Sequence, residues 1–363
     1  AGLLALAGCV HGARPPEPAK LAVTAGFVGN AACAQCHAAE CRSVAGSRHA
    51  KTMHAATREA LGPIAPPGGP VPLAGYAVES PGGRLAISRQ TPTPETHPLD
   101  YALGSGKTGM TYVAVVDGTK LMEARMSYFP HQREWEITPG QEARLPDDTP
   151  FGRTHDEDSS RRCLTCHADA LYEKETRSPP GFFGVGCESC HGPGKAHVEA
   201  MRSGPRGDIH MERLGALGGG KLNDLCGRCH RSVQSIDIDS PMAEQTHRFQ
   251  PYGLLRSRCR ESHGEPLSCL RCHDPHTDAS TDRGYYDRIC LSCHNGASGP
   301  GAPATHKVAG PSNPGRVCPV SRTANCIVCH MRPKPAFLAS TFPAKMVDHL
   351  ISIPPQQRMQ RRQ

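Results

Sequence analysis

The sequence predicts a mostly α and irregular fold with a small antiparallel β insertion, and three observations lead to this prediction. Apolar residues are 37% and aromatic residues 5% of the 363 residues, and glycine and proline together number 72 (38 plus 34). This composition supplies little side-chain mass for an ordinary core. A Cys-x-x-Cys-His motif occurs seven times, and the short stretches between most copies leave room only for short helices and loops. Residues 76–138 contain no cysteine and show strand-forming patterns.

The seven motifs, numbered first to seventh along the chain, are attachment sites for c-type haem. Two thiols three residues apart lie on one turn and can form thioethers to one porphyrin, and the adjacent histidine becomes the proximal iron ligand. Zinc sites also use paired cysteines, but zinc does not need a histidine directly after the second one. We therefore expect seven covalently attached haem c groups. The predicted thioether cysteines are Cys33, Cys36, Cys163, Cys166, Cys187, Cys190, Cys226, Cys229, Cys269, Cys272, Cys290, Cys293, Cys326 and Cys329, and the predicted proximal ligands are His37, His167, His191, His230, His273, His294 and His330.

A second axial ligand for each iron is expected to be histidine. The chain has 20 histidines, and subtracting the seven proximal ones leaves 13 for seven sites. Neutral imidazole is a common iron ligand, so the default is six-coordinate, low-spin, bis-histidine haem. The predicted distal ligands are His49, His155, His197, His247, His276, His306 and His349, with His54 as a rival to His155. His97 and His131 are predicted to be surface residues of the β insertion.

The N-terminal residues predict a membrane anchor. Residues 3–9 (LLALAGC) are typical of an apolar signal-peptide end that runs into a lipoprotein cleavage box, so we expect Cys9 to be lipidated. No other apolar run approaches the roughly 18–20 residues that span a bilayer. Because covalent haem c is attached outside the cytoplasm, the predicted location is the periplasm or the cell surface, on a membrane-anchored lipoprotein.

Five segments follow from the pattern along the chain. We predict a signal-peptide remnant, lipidated cysteine and tether at 1–30, the first haem segment at 31–60, a linker and β insertion at 61–145, a six-haem domain at 146–350, and a basic tail at 351–363. In the insertion, Pro-Gly-Gly separates 76–79 from 84–88, and Asp-Gly separates 110–116 from 119–129, which predicts two hairpins. The net charge of +7 offsets haem propionates, about fourteen for seven haems, and therefore does not indicate a nucleic-acid partner.

Three cysteines remain outside the motifs and the lipidation site. Cys259 stands four residues before His263, which leaves open a degenerate single-thioether site for an eighth haem. Alternatively, Cys259 is a structural thiol or pairs with Cys41 or Cys318. Three thiols allow at most one disulfide within the chain, and the spacing does not decide which.

Several of these stretches resemble the multihaem c-type cytochromes of the cytochrome c-554 type, a group allied to multihaem nitrite reductases and hydroxylamine oxidoreductases. The resemblance lies in residues 29–54 (GNAACAQCHAAECRSVAGSRHAKTMH), 184–197, 250–276 and 326–333, and residues 103–135 are similar to a β insertion of some members. It implies a mostly α, loop-rich fold with His49, His197, His276 and His306 as distal ligands. The chain lacks the Cys-x-x-Cys-Lys motif of the catalytic haem in the nitrite reductases.

The motif density predicts electron transfer between redox partners. Six motifs fall within 163–330, so their irons must be near neighbours. One alternative is an oxidoreductase that acts on a small nitrogen or sulfur compound at one haem with an open position. A further alternative is a subunit of a haem filament, which would require self-association. An electron carrier rather than an enzyme is the expectation, because 13 spare histidines can close every iron.

Overall fold

Helices and antiparallel strands share this chain, so the prediction of a mostly α fold is wrong. The computed structural model describes residues 25–90, 92–143, 149–204, 207–232, 249–257, 259, 261–262, 265–294, 318, 320–336 and 344–353. About one third of these residues are helical and about one fifth are in strands. The fold is mixed, with several antiparallel sheets.

The helices are short, and most of them lie at haem motifs. The longest in the described ranges have 12 residues, and each ends on the histidine of a motif. The helices are α1 (Asn30–Cys33), α2 (Ala38–Gly46), α3 (Arg58–Leu61), α4 (Glu157–Thr165), α5 (Cys187–His191), α6 (Lys195–Arg202), α7 (Gly219–His230), α8 (Gln250–Leu255), α9 (Arg283–His294) and α10 (Cys326–His330). None of the helices in the described residues is long and apolar enough to cross a bilayer.

The strands form two larger antiparallel sheets and two short ribbons. They are β1 (Met53–Ala55), β2 (Gly69–Pro70), β3 (Tyr76–Glu79), β4 (Ala86–Arg89), β5 (Glu95–Pro98), β6 (Tyr101–Leu103), β7 (Met110–Val116), β8 (Lys120–Phe129), β9 (Glu134–Ile137), β10 (Gly152–Thr154), β11 (Glu261–Ser262), β12 (Glu265–Pro266), β13 (Pro333–Pro335) and β14 (Lys345–Val347). One sheet has the order β1-β6-β7-β8-β10 with β9 also on β8, and the other has the order β2-β3-β4-β5. The ribbons are β11 with β12 and β13 with β14.

The two larger sheets include segments in which the sequence shows no strand pattern. The β content is therefore higher than the sequence predicts. Strand β1 lies in a stretch with helix-forming residues, and β2 lies in the Pro/Gly-rich linker. Each becomes a strand because a neighbour satisfies its backbone groups, as in the pairing of Met53–Ala55 with Tyr101–Leu103. Sheet pairing of this kind overrides local propensity.

Both predicted hairpins are present. Strands β3 and β4 pair across the Pro-Gly-Gly turn, and β7 and β8 pair with Val116 opposite Lys120. Asp117 and Gly118 have φ values of 51° and 75°. Glycine adopts this left-handed region freely and aspartate tolerates it, so the dipeptide supports the reversal.

A hydrophobic cluster joins the larger sheet to the second haem motif. Leu164, between the two cysteines of that motif, is fully buried and packs in one cluster with Tyr101, Val113 and Leu121 of the sheet. A separate cluster lies within the two larger sheets, which we call the β unit, and it contains Tyr112 and Trp135. The ordinary apolar core of the described residues therefore lies in the β unit, and the second motif packs directly against it.

Candidate haem-binding sites

Each of the seven motifs includes a helical turn. The first begins at the end of α1, the second closes α4, α5 and α10 are the third and seventh, and α7 and α9 end in the fourth and sixth. The fifth forms a 3-10 turn at Cys269–Arg271. In this last motif the His273 N–H donates to the carbonyl of Cys269 (3.0 Å), so both cysteines and the histidine share one turn. This is the local geometry that two thioethers and a proximal ligand require.

Four predicted distal histidines lie opposite four predicted proximal ones. The ring centroids are 6.4 Å apart for His37 and His197, 6.1 Å for His49 and His230, 6.4 Å for His191 and His276, and 6.2 Å for His273 and His349.

These spacings fit an iron held between two imidazoles. A metal–imidazole bond is about 2.0–2.1 Å, so two such bonds plus the distance from each nitrogen to its ring centre give roughly 6 Å between centroids. The residues present therefore suit bis-histidine haem, which supplies a reversible one-electron iron couple when bound.

The ring nitrogens of these histidines are arranged for metal binding. Backbone carbonyls accept from Nδ1 of His197 (Ile209, 2.7 Å), His49 (Pro275, 3.3 Å) and His349 (Val347, 3.0 Å). A carbonyl oxygen can only accept, so Nδ1 carries the proton in each ring and Nε2 is left as the metal-binding nitrogen. Hydrogen bonding of this kind orients metal-ligating histidines in proteins generally.

Two predicted proximal histidines are oriented in the same way. Nδ1 of His167 donates to the carbonyl of Thr52 (2.9 Å), and Nδ1 of His330 donates to the carbonyl of Ser352 (2.9 Å). Both acceptors lie far from the motif in sequence, so the ring orientation depends on tertiary structure.

The electrostatic environment favours neutral imidazole at several of these positions. Desolvation by burial lowers the pKa of His273 to about 4, and it also lowers the pKa of His167 and His191. At His273 the neighbouring rings of His349 and His230 lower the pKa further. Neutral imidazole is the form that coordinates a metal.

Three comparisons with known proteins agree with this geometry. A family model described as "Cytochrome c554 and c-prime" matches residues 125–192. The multiheme cytochrome MtrA of Shewanella baltica (strain OS185) is 24% identical over 182 residues, which cover 38% of this chain and 53% of that protein. This chain thus spans about half the length of that curated relative. The crystal structure of the outer cell wall cytochrome OcwA matches with a TM-score of 0.51 at 16% identity, covering 90% of this chain and 80% of that one, which shows a shared fold.

The chain is a multihaem c-type cytochrome. The family-model match, the similarity to a multiheme cytochrome and the fold shared with OcwA support this statement, and the predicted resemblance is confirmed at that level. They also support covalently bound haem c as the cofactor.

Contacts between motif segments link the cytochrome's motifs in an unbroken series. The thiols of Cys33 and Cys187 lie close enough to influence each other's ionisation, which places the first motif beside the third. Cys190 of the third lies within electrostatic range of Cys226 and Cys229 of the fourth. Cys166 Sγ lies 3.9 Å from the Arg228 carbonyl, which places the second motif beside the fourth.

The series continues through the C-terminal half of the described chain. The thiols of Cys226 and Cys269 lie close enough to influence each other's ionisation, which places the fourth motif beside the fifth. Arg271 Nη2 donates to Ser292 Oγ (3.0 Å), which joins the fifth to the sixth. The thiols of Cys290 and Cys326 are similarly close, which places the sixth motif beside the seventh. The order is therefore first, third, fourth, fifth, sixth and seventh, with the second attached to the fourth.

His155 and its rival His54 differ from the paired histidines. Nε2 of His155 lies 3.3 Å from the Glu123 carboxylate, so this nitrogen already has a partner. Nε2 of His54 is buried without a hydrogen-bond partner, and burial lowers the pKa of this ring. His97 was predicted to lie on the surface, but its ring is partly buried and stacks on Phe151 with the centroids 5.4 Å apart.

Other predicted residues fall in different places. Cys9, His247, His306 and His263 lie outside the described residues. Cys41 lies close enough to Cys33 and Cys187 to influence their ionisation, and Cys259 is similarly close to Cys272 and Cys293. These two of the three leftover thiols therefore lie beside predicted haem attachment sites.

Sequence reasoning missed a buried carboxylate within the third motif. Glu188 is only 3% exposed, and its oxygens accept the backbone N–H groups of Val28 (3.0 Å), Gly29 (2.7 Å) and Gly194 (2.7 Å). These bonds attach the chain just before the first motif to the third motif. A glutamate between two motif cysteines gives no pattern from which this role could be predicted.

Proposed function

We propose that all seven motifs of this cytochrome bind haem c and that the haems carry electrons between redox partners. In this proposal the 14 motif cysteines form the thioethers and the seven adjacent histidines are proximal ligands. His49, His197, His276 and His349 are distal ligands to the irons at His230, His37, His191 and His273, respectively. His155, His247 and His306 remain candidates for the other irons.

The continuous series of contacts between motifs is the observation that carries the proposal. Electron tunnelling weakens steeply with distance, so a route needs each haem next to another. Every motif segment lies beside at least one other, and in most of these pairs the motif thiols are close enough to influence each other's ionisation. No acid, base or nucleophile is needed for this activity. Haem held by these motifs would supply one-electron iron couples, and the residues named above would bind and space the haems.

We also propose a location outside the cytoplasm, with the five sequence segments predicted above and a lipid on Cys9. OcwA is an outer cell wall cytochrome, and the fold that it shares with this chain supports an extracytoplasmic setting. The anchor rests on the residues before Cys9 alone. Mass spectrometry of the N-terminal peptide from protein purified with the membrane fraction tests it: a Cys9→Ala variant should lose the lipid and move to the soluble fraction.

The test of the seven-haem carrier combines a haem count with spin state. Pyridine haemochrome assay and intact mass should give seven haems per chain, and low-temperature EPR of the oxidised protein should show them low-spin. A Cys326→Ala/Cys329→Ala variant should lose one haem, whereas Cys259→Ala should lose none. A stoichiometric high-spin signal would instead favour the oxidoreductase alternative and direct the search to nitrite, hydroxylamine and sulfur oxyanions.

A further inference from the structure

Three of the seven motifs share a side chain that the haem chemistry does not require. An asparagine or aspartate stands three residues before the first cysteine of the first, fourth and sixth motifs: Asn30, Asn223 and Asp287. At the same position the third, fifth and seventh motifs have Gly184, Pro266 and Thr323. We call the first, fourth and sixth motifs the capping motifs, and the third, fifth and seventh the recipient motifs. The second motif, which has Ser160, belongs to neither set.

Each of the three side chains makes the same contact with a recipient motif. Oδ1 of Asn30 accepts the backbone N–H of Cys187 (3.0 Å). Oδ1 of Asn223 accepts the N–H of Cys269 (3.0 Å), and Oδ1 of Asp287 accepts the N–H of Cys326 (2.8 Å). In every case the recipient is the first cysteine of its motif. The contacts join the first motif to the third, the fourth to the fifth and the sixth to the seventh.

The contact is a helix cap supplied by another element. Cys187 and Cys326 are the first residues of α5 and α10, where backbone N–H groups have no partner within the helix. Asparagine and aspartate are among the preferred caps, normally from the residue just before the helix. Here the cap comes from 157, 46 and 39 residues away for the three pairs.

The residues around the capping side chains allow these side chains to lie close to the recipient motifs. Asn223 and Asp287 are 1% and 7% exposed, and loss of either side chain would leave a partly buried backbone N–H of a motif cysteine without this acceptor. The amide of Asn223 also donates to the Leu267 carbonyl (3.0 Å), which fixes its orientation. A side chain at position 186 would place its Cβ 2.5 Å from the Asn30 amide, so Gly186 leaves the room that this cap needs.

The caps also bring the sulfur atoms of each motif pair together. The thiols of the first cysteines of the paired motifs lie close enough to influence each other's ionisation: Cys33 with Cys187, Cys226 with Cys269 and Cys290 with Cys326. In the mature protein each of these sulfurs is bonded to a porphyrin. The separation of two sulfurs therefore limits how far apart the two porphyrin edges can lie.

We propose that Asn30, Asn223 and Asp287 are positioning residues that dock the haem motifs in three pairs and set the electron-transfer distance within each pair. The proposal rests on the proposed function, because it assumes that both motifs of a pair bind haem. Within a pair one electron leaves a ferrous iron and reduces the neighbouring ferric iron, and no covalent bond changes.

Asn223 offers the sharpest test, because the next residue is a matched control. Asn223→Ala removes the acceptor, Asn223→Asp keeps an acceptor for Cys269, and Asp224→Ala changes an exposed residue of the same helix. The holo-proteins are compared by intact mass for haem count, by EPR for magnetic coupling between neighbouring ferric haems, and by redox titration. In Asn223→Ala we expect two haems of the seven to lose their mutual coupling and shift in potential. Asn223→Asp should retain most of the coupling, and Asp224→Ala should match the parent.

Unchanged coupling in Asn223→Ala, or a change spread evenly over all the haems, would overturn the proposal. If Asn223→Ala loses haem, peptide mapping decides: loss confined to the fourth and fifth motifs supports pairing, and scattered loss refutes it. Asp287→Ala should act in the same way on the sixth and seventh motifs only. Failure of the parent protein to accept electrons would refute the proposed function instead, and normal electron uptake with unchanged coupling would refute the pairing alone.

Discussion

Replacement of His276 by alanine tests the histidine pairing directly. His191 and His276 have nearly parallel rings, 9° apart, with centroids 6.4 Å from each other. Removal of the His276 imidazole takes away the distal ligand proposed for the iron at His191. The proposed thioether cysteines of that motif, Cys187 and Cys190, are untouched, so the haem should stay attached. One iron in seven, about 14% of the total, should therefore change from low-spin to high-spin.

The assay is spin quantification by low-temperature EPR, with pyridine haemochrome to verify that the haem count is unchanged. His131→Ala is the matched control, because His131 is an exposed histidine of the β unit. A fully low-spin His276→Ala protein with all its haems would show that His276 is not the distal ligand. A high-spin fraction far above one seventh would show that the substitution disturbs more than one site.

Three further predictions concern the β unit and its junction with the haem segments. Leu164→Ala, at a fully buried position between the second motif and the sheet, should lower the free energy of unfolding by about 2–5 kcal/mol, measured by urea unfolding at constant haem content; a change under about 1 kcal/mol would contradict the packing described. Burial raises the pKa of Tyr101 to about 12. The protonated phenol therefore contributes about 2–3 kcal/mol to the free energy of unfolding below pH 10, which is the ordinary pKa of tyrosine, and this contribution is lost as the pH rises through 12. Tyr101→Phe should flatten the pH dependence of stability between pH 10 and 12, and an unchanged slope would refute the assignment. Gly186→Ala would place a Cβ 2.4 Å from Asp169 Oδ2, so a thermal shift assay should show destabilisation of about 1–3 kcal/mol, against no change for Gly215→Ala, which has open space.

The haem motifs and the hairpins could be predicted because their signals are local. Two cysteines and a histidine within five residues define a turn, and Asp117-Gly118 between strand-forming residues defines a reversal. The strand at Met53–Ala55 could not be predicted, because its partner Tyr101–Leu103 supplies the reason for its conformation.

The pairing of distal with proximal histidines was beyond sequence reasoning for the same reason. His49 follows the first motif but faces His230 of the fourth, which is 181 residues further along (230 minus 49). The number of spare histidines could be counted from the sequence, but the proximal histidine that each one faces could not be assigned. The asparagine or aspartate three residues before Cys33, Cys226 and Cys290 is visible as a repeat, but the residues that it caps are set by tertiary structure.

The bond between Asn30 and Cys187 has a consequence for how the protein matures. These residues are 157 positions apart, so the first motif cannot dock until the third has been made. At a synthesis rate of about 5–20 residues per second, the first motif waits roughly 8–30 s for its partner. The partners of the later pairs, Asn223 with Cys269 and Asp287 with Cys326, arrive within about 2–9 s. The N-terminal haem segment, although made first, thus waits longest for its native neighbour.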